Sequence, residues 1–178
     1  PLDGASELNT IKRCAALFEL DVSVMTQSAI PLLAMFSTDD AKTLYVHPSI
    51  RRASEAEIRY IIAKVCATTR LGYGLLSSIA NDSKTLMISL LADLLAPAHT
   101  RAELSVEILG RLPPEAVRRI EHLSNRAQGR QAAISDLVQQ WLASVEQHTT
   151  TLALLSADDL HASILANAKI EGAPIKTL

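Results

Sequence analysis

Five histidines and two cysteines are the residues of this chain best suited to hold a metal or attack a substrate. A helical zinc site needs two imidazoles four residues apart, so that both leave one face and reach the same ion. His47, His99, His122 and His161 have no such partner among the histidines and cysteines. His148 stands two residues from Glu146, and such neighbours cannot face the same way on a helix. Cys66 lies between Val65 and Ala67, an apolar setting that raises a thiol's pKa and blunts it as a nucleophile. Cys14 also falls in an apolar helical pattern, so both read as buried free thiols with no disulfide framework. A hydrolase built on other residues, or a metal protein with a relocated site, is one alternative to a chain without chemistry.

A chain of 178 residues, 48% hydrophobic and only 20% charged, can bury a core unaided and reads as one domain over residues 1–178. Its net charge is -2, its Lys and Arg are scattered, and only 3% of its residues are aromatic, which disfavours nucleic acid as a partner. The longest apolar run, Leu86–Ala96, is too short for a membrane span and carries Asp93. Nothing in the spacing calls for a cofactor or a metal. No signal sequence opens the chain, which begins at Pro1 and reads as a cytoplasmic piece of a longer protein.

The elements that must position these residues are mostly helical. Leu8, Ile11, Ala15 and Phe18 give Ala5–Leu20 one buried stripe at helical period. From Asp21 to Phe36, apolar residues at 22, 24, 30, 32, 33 and 36 read as short strands, with Pro31 at an edge or bulge. Ser37–Lys42 is a turn, Thr43–Val46 a compact strand, and His47-Pro48 ends what reads as one β-hairpin. Ser54 with Glu57 forms a capping box that opens a helix, which Gly72 and Gly74 end or bend. Further helices are expected over about 83–96, 101–109 with Gly110 as its cap, 113–125 opened by Pro113-Pro114, and 130–155. Asp158 or Asp159 caps a last one through about Ala168. The fold class is mainly α with a small β-hairpin or sheet.

The helix opened by Ser54 carries a longer pattern. Ser54–Tyr73 reads S-E-A-E-I-R-Y-I-I-A-K-V-C-A-T-T-R-L-G-Y. Its frame resembles the active-site helix of the HtpX-like zinc metallopeptidases, gluzincins in which it runs S-x-x-E-L-x-x-V-L-A-H-E-L-G-H-x-x-x-G-H. Ser54, Glu57, Ile58, Ile61, Ile62, Ala63 and Gly72 keep that frame. By the same resemblance Lys64 stands at the first zinc ligand, Val65 at the general base, Thr68 at the second ligand and Tyr73 at the trailing His. An ammonium repels Zn²⁺, valine accepts no proton and threonine is a poor zinc ligand, so the hydrolytic chemistry is gone.

Two further segments are similar to the same family. Trp141–Leu155 resembles the later helix whose E-x-x-x-D supplies the third ligand, with Glu146 at the ligand Glu, Thr150 in place of the Asp and Thr151 in place of the following Arg. Asp158-Asp159-Leu160-His161-Ala162 resembles the helix start that follows it. Ala34–Ile50 looks like the family's edge hairpin, N-A-F-x-x-G-G-x-I-x-V-x-x-x-L. The resemblance spans roughly residues 30–165.

It implies a degenerate zincin-like helical domain, a pseudoenzyme of a kind found in large bacterial multidomain proteins, kept for protein–protein interaction or a structural role. It also implies that Lys64 and Glu146 converge as an ion pair where a metal once sat. Thr43, Leu44, Tyr45 and Val46 would form the edge against which a partner segment lies. Thr149-Thr150-Thr151, costly inside a helix, would mark a tight crossing beneath the vanished metal. The remaining alternative is an unrelated helical adaptor or regulatory module. It predicts that Lys64 and Glu146 lie far apart and that Thr43–Val46 is not in a sheet.

Overall fold

The computed structural model describes residues 5–30, 32–37, 42–73, 84–126 and 131–170. The chain gathers into two compact units, Pro1–Asn81 with Val145–Leu178, and Asp82–Ser144. In order the elements are α1 (Ala5–Ala16), β1 (Ser23–Thr26), β2 (Ala34–Phe36), β3 (Thr43–Val46), α2 (Glu55–Arg70), α3 (Lys84–Leu94), α4 (Glu103–Arg111), α5 (Pro114–Arg126), α6 (Gln131–Ala157) and α7 (Leu160–Ile170). The molecule is thus mainly helical with one small sheet. Among the described residues, no helix is long and apolar enough to cross a membrane.

In the first unit α2 is the hub. Its start is set by the capping box: the Glu57 amide donates to Ser54 Oγ at 3.2 Å, and Glu57 Oε2 accepts from the Ser54 amide at 2.6 Å. Its end is set by Gly72, at φ 80, with the Gly72 amide reaching Thr69 O and the Tyr73 amide reaching Thr68 O. That pair of bonds is a Schellman close, and it needs a left-handed residue that glycine supplies without strain. Ten of the sixteen residues of α2 are buried, so the helix is covered on more than one side. It packs against α1 and α7 and also lies against β2. Ile11 and Ala15 of α1, Leu44 and Val46 of β3, and Ala166 of α7 share its core.

The helix expected over Ala5–Leu20 stops at Ala16. Glu19 takes φ 58, and the amides of Glu19 and Leu20 return to Ala16 O and Ala15 O, so a Schellman turn closes the helix without glycine. Leu8, Ile11, Ala15 and Phe18 still lie on its inner side, Ile11 and Ala15 fully buried.

The sheet has the order β1-β3-β2. β2 and β3 form the expected antiparallel hairpin, pairing Ala34 with Val46 and Phe36 with Leu44. β1 adds a parallel strand on the other side of β3, pairing Ser23 with Thr43 and Thr26 with Val46. Thr43–Val46 is therefore the central strand and not an edge. Both of its hydrogen-bonding sides are occupied, which corrects its reading as a partner edge. Pro31 and Gly74 lie outside the described residues.

In the second unit α3 leads through a 3-10 turn at Ala98–Thr100 to α4, and the Ala102 amide donates to Asp93 Oδ2 at 2.9 Å. Ser124 Oγ of α5 and Arg101 Nε both donate to Ala96 O. Gly110 does not cap α4; it lies within it, and the helix ends at Arg111 because Leu112 turns to extended geometry. Pro114 opens α5, where a missing amide hydrogen costs nothing.

Candidate functional site

α2 carries Glu57, Tyr60 and Lys64 at positions i, i+3 and i+7, which places all three on one face. That face meets the last helix. Tyr60 Oη donates to Asn167 Oδ1 at 3.1 Å, and Lys64 Nζ donates to the same oxygen at 2.9 Å. One turn nearer the start of α2, Glu57 takes the ammonium of Lys169. A polar seam therefore joins α2 to α7 through side chains more than a hundred residues apart.

Lys64 gathers a third group. Its Nζ lies 2.6 Å from Glu146 Oε1 on α6, and 6.0 Å from the centre of the Tyr60 ring, the outer limit of a cation–π contact. The structure thus brings together the two helices that the sequence comparison pairs, at the two residues it names. The lysine side chain is 11% exposed and the glutamate 52%, so the pair is sealed at its cationic end and open at its anionic end. A buried ammonium needs its donors used, and Glu146 and Asn167 use two of the three.

Glu57 holds the seam's other charge. Its side chain is 7% exposed, and burial alone pushes a carboxyl pKa up. The hydrogen bond from Lys169, the Ser54 amide and the charge of Lys169 together outweigh burial and hold Glu57 below its ordinary value. The capping residue is thereby also an ion-pair partner, and one side chain fixes both the start of α2 and the seat of α7.

The other positions marked by the resemblance do different work. Val65 is buried in the core cluster. Thr68 is buried, and its Oγ1 donates to Lys64 O at 2.7 Å, so its hydroxyl is tied to its own helix. Tyr73 stands beyond the end of α2, half-buried, with its amide bonded to Thr68 O at 2.8 Å. Thr150 is half-buried on α6. Its neighbour Thr149 is the deeply buried threonine, returning its hydroxyl to Val145 O and Glu146 O.

None of this suits a zinc ion. A cation fills the first position, the second is turned into the helix, and Val65 offers no proton acceptor. Among the described residues, no three His, Cys, Asp or Glu side chains gather where they could share a metal. The histidines serve locally: His47 Nδ1, for example, accepts the Ser49 amide at 3.2 Å and caps a 3-10 turn. The cysteines are inert by position. Burial pushes the Cys14 thiol up to about 11, the nearby Arg59 charge opposing it only in part, and pushes Cys66 further still.

Sequence spacing pointed to Lys64 and Glu146 but missed their neighbours. Glu57, Tyr60 and Lys64 recur at helical period, a signal that could have marked a polar face on an otherwise apolar helix. Asn167 and Lys169 gave no signal, because an asparagine and a lysine on a terminal helix are ordinary surface residues. No protein-family model matches this chain, and neither a curated protein nor a solved structure matches it significantly.

Proposed function

We propose that this chain is a non-catalytic, metallopeptidase-like domain in which a lysine-centred network stands where a metal would, and that its role is structural or interaction-based within a larger, cytoplasmic bacterial protein. The observation that carries the reading is the 2.6 Å contact between Lys64 and Glu146, the positions that the degenerate motifs assign to two ligands of one ion. A fixed cation held by a carboxylate, an amide oxygen and an aromatic face tethers α6 and α7 to α2 without any bound ion. An unrelated helical module gives no reason for convergence at these two residues. The interaction role rests on surfaces other than Thr43–Val46, whose hydrogen bonds are spent within the sheet.

Two measurements test it. A double-mutant cycle on Lys64→Ala and Glu146→Ala, read by denaturant unfolding, is expected to give a coupling of about 1–3 kcal/mol, between the values for exposed and buried pairs. Additive losses would remove the network as the tie between the helices. Metal analysis of the purified chain with a casein cleavage assay is expected to find neither stoichiometric zinc nor turnover. Either one would make the chain an enzyme or a metal protein instead.

A further inference from the structure

The two outer strands of the sheet are not alike. In β2, the Ser37 amide reaches Thr43 O and the His47 amide reaches Leu33 O, so alternation turns the amides of Ala34 and Phe36 outward. Those residues are 2% and 5% exposed, so that edge is covered. In β1, the Ser23 amide reaches Lys42 O and the Gln27 amide reaches Val46 O, which turns the N–H and C=O of Val24 and Thr26 away from β3. Among the described strands none pairs with that side, Val24 and Thr26 are only half-buried, and Met25 between them is 54% exposed.

Protected edges usually carry a charge or a proline. From Val22 to Ile30 this chain has neither. A bare edge with two outward residues flanking one central residue is complementary to itself. Two copies set antiparallel, so that residue numbers in each facing pair sum to fifty, place Val24 opposite Thr26 of the second copy and Thr26 opposite its Val24. Both are hydrogen-bonded pairs, and both use only groups that β3 leaves unused. Met25 then faces Met25 of the second copy across the two-fold axis, in the closer, non-hydrogen-bonded pairing. No like charges meet, and an isologous interface requires this kind of reciprocity.

We infer that β1 is a self-association edge: a second copy of this chain pairs with it antiparallel through Val24 and Thr26, joining two three-stranded sheets into one of six. Four backbone bonds make a weak dimer, so association is expected at high micromolar concentration or above, or where a larger assembly holds copies close together.

Sedimentation equilibrium of the whole chain over a concentration series up to about 1 mM tests it. Thr26→Pro removes an outward donor that β3 does not use, a change edge strands tolerate, and is expected to weaken association about tenfold or more. Met25→Lys sets two like charges opposite each other at an already exposed position and is expected to do the same without touching the fold. Register is read by oxidative crosslinking with dissolved oxygen and a copper catalyst. Met25→Cys places two Cα atoms about 4.5 Å apart, within disulfide range. Ser23→Cys leaves its copies about 13 Å apart along the strands. The native thiols, 3% and 0% exposed, do not interfere. Crosslinking at 25 but not at 23, together with weakened association in both other variants, establishes the edge. A chain monomeric throughout the series, a dimer indifferent to Thr26→Pro and Met25→Lys, or equal crosslinking at 23 and 25 overturns it, and capture of an unrelated extended peptide in place of a second copy does so too. None of these outcomes depends on the lysine network.

Discussion

The two sides of α2 hold the same helix in place by different physics. On one, Ile58, Ile62 and Cys66 recur at helical spacing and are buried to 2% exposure or less, in a cluster shared with Ile11, Cys14 and Ala15 of α1. On the other, Glu57, Tyr60 and Lys64 meet Asn167, Lys169 and Glu146 through directed bonds. Apolar contact is strong but tolerates sliding; a row of charge-assisted hydrogen bonds permits one register only. The comparison suggests a division of labour, with the α1 side supplying most of the free energy and the α7 side fixing where the last helix seats.

The largest test of that division is on the apolar side. Ile62→Ala, at a fully buried site, is expected to lower unfolding free energy by about 2–5 kcal/mol, read from the denaturant midpoint. A loss under 1 kcal/mol would show that the core is not where the stability lies. On the polar side, Tyr60→Phe is expected to cost only about 0.5–1.5 kcal/mol, because Asn167 Oδ1 keeps its bond from Lys64. A larger loss would make the tyrosine, and not the lysine, the centre of the seam.

Acidity separates the sides differently. Glu57 is held below its ordinary 4.5, so its contribution is fully present above that pH and is lost as pH falls through its lower folded value. Glu57→Gln is therefore expected to flatten the acid limb of stability below about pH 4.5 while leaving the neutral-to-alkaline region parallel to the parent. An unchanged acid limb would mean that Lys169 does not hold this carboxylate in solution. The smallest effect is expected at the rim, where Glu19 sits at φ 58 and accepts from Arg70 at 2.6 Å. Glu19→Gly relieves the left-handed strain and is expected to gain roughly 0.5–1 kcal/mol, since an exposed ion pair contributes little. A net loss would show the Arg70 contact to be worth more than its exposure implies.

What the sequence made legible follows the same line between local and distant effects. The capping box at Ser54, the start of α5 at Pro114 and the cap of α7 at Asp159, whose Oδ1 accepts the Ala162 amide, are written within four residues of where they act. Gly110 misled because glycine signals a stop only when the chain needs a left-handed turn, and here it sits in a helix with open space beside it. The third strand was hidden because β1 pairs with β3 in parallel, across twenty residues, and no turn announces such a partner. Lys64 and Glu146 were found only through spacing borrowed from a known pattern. Asn167, which binds both Tyr60 and Lys64, had no pattern to borrow.

The first unit is assembled from the beginning and end of the chain, with residues 82–144 made in between. Lys64 and its acceptor on Asn167 are 103 residues apart. At roughly 5–20 residues per second, a ribosome that has finished α2 needs on the order of 5–20 s more before α7 exists. For that interval the nascent helix holds an acid, a phenol and a lysine with no counterpart, so water or a chaperone must cover them until synthesis reaches the closing helix.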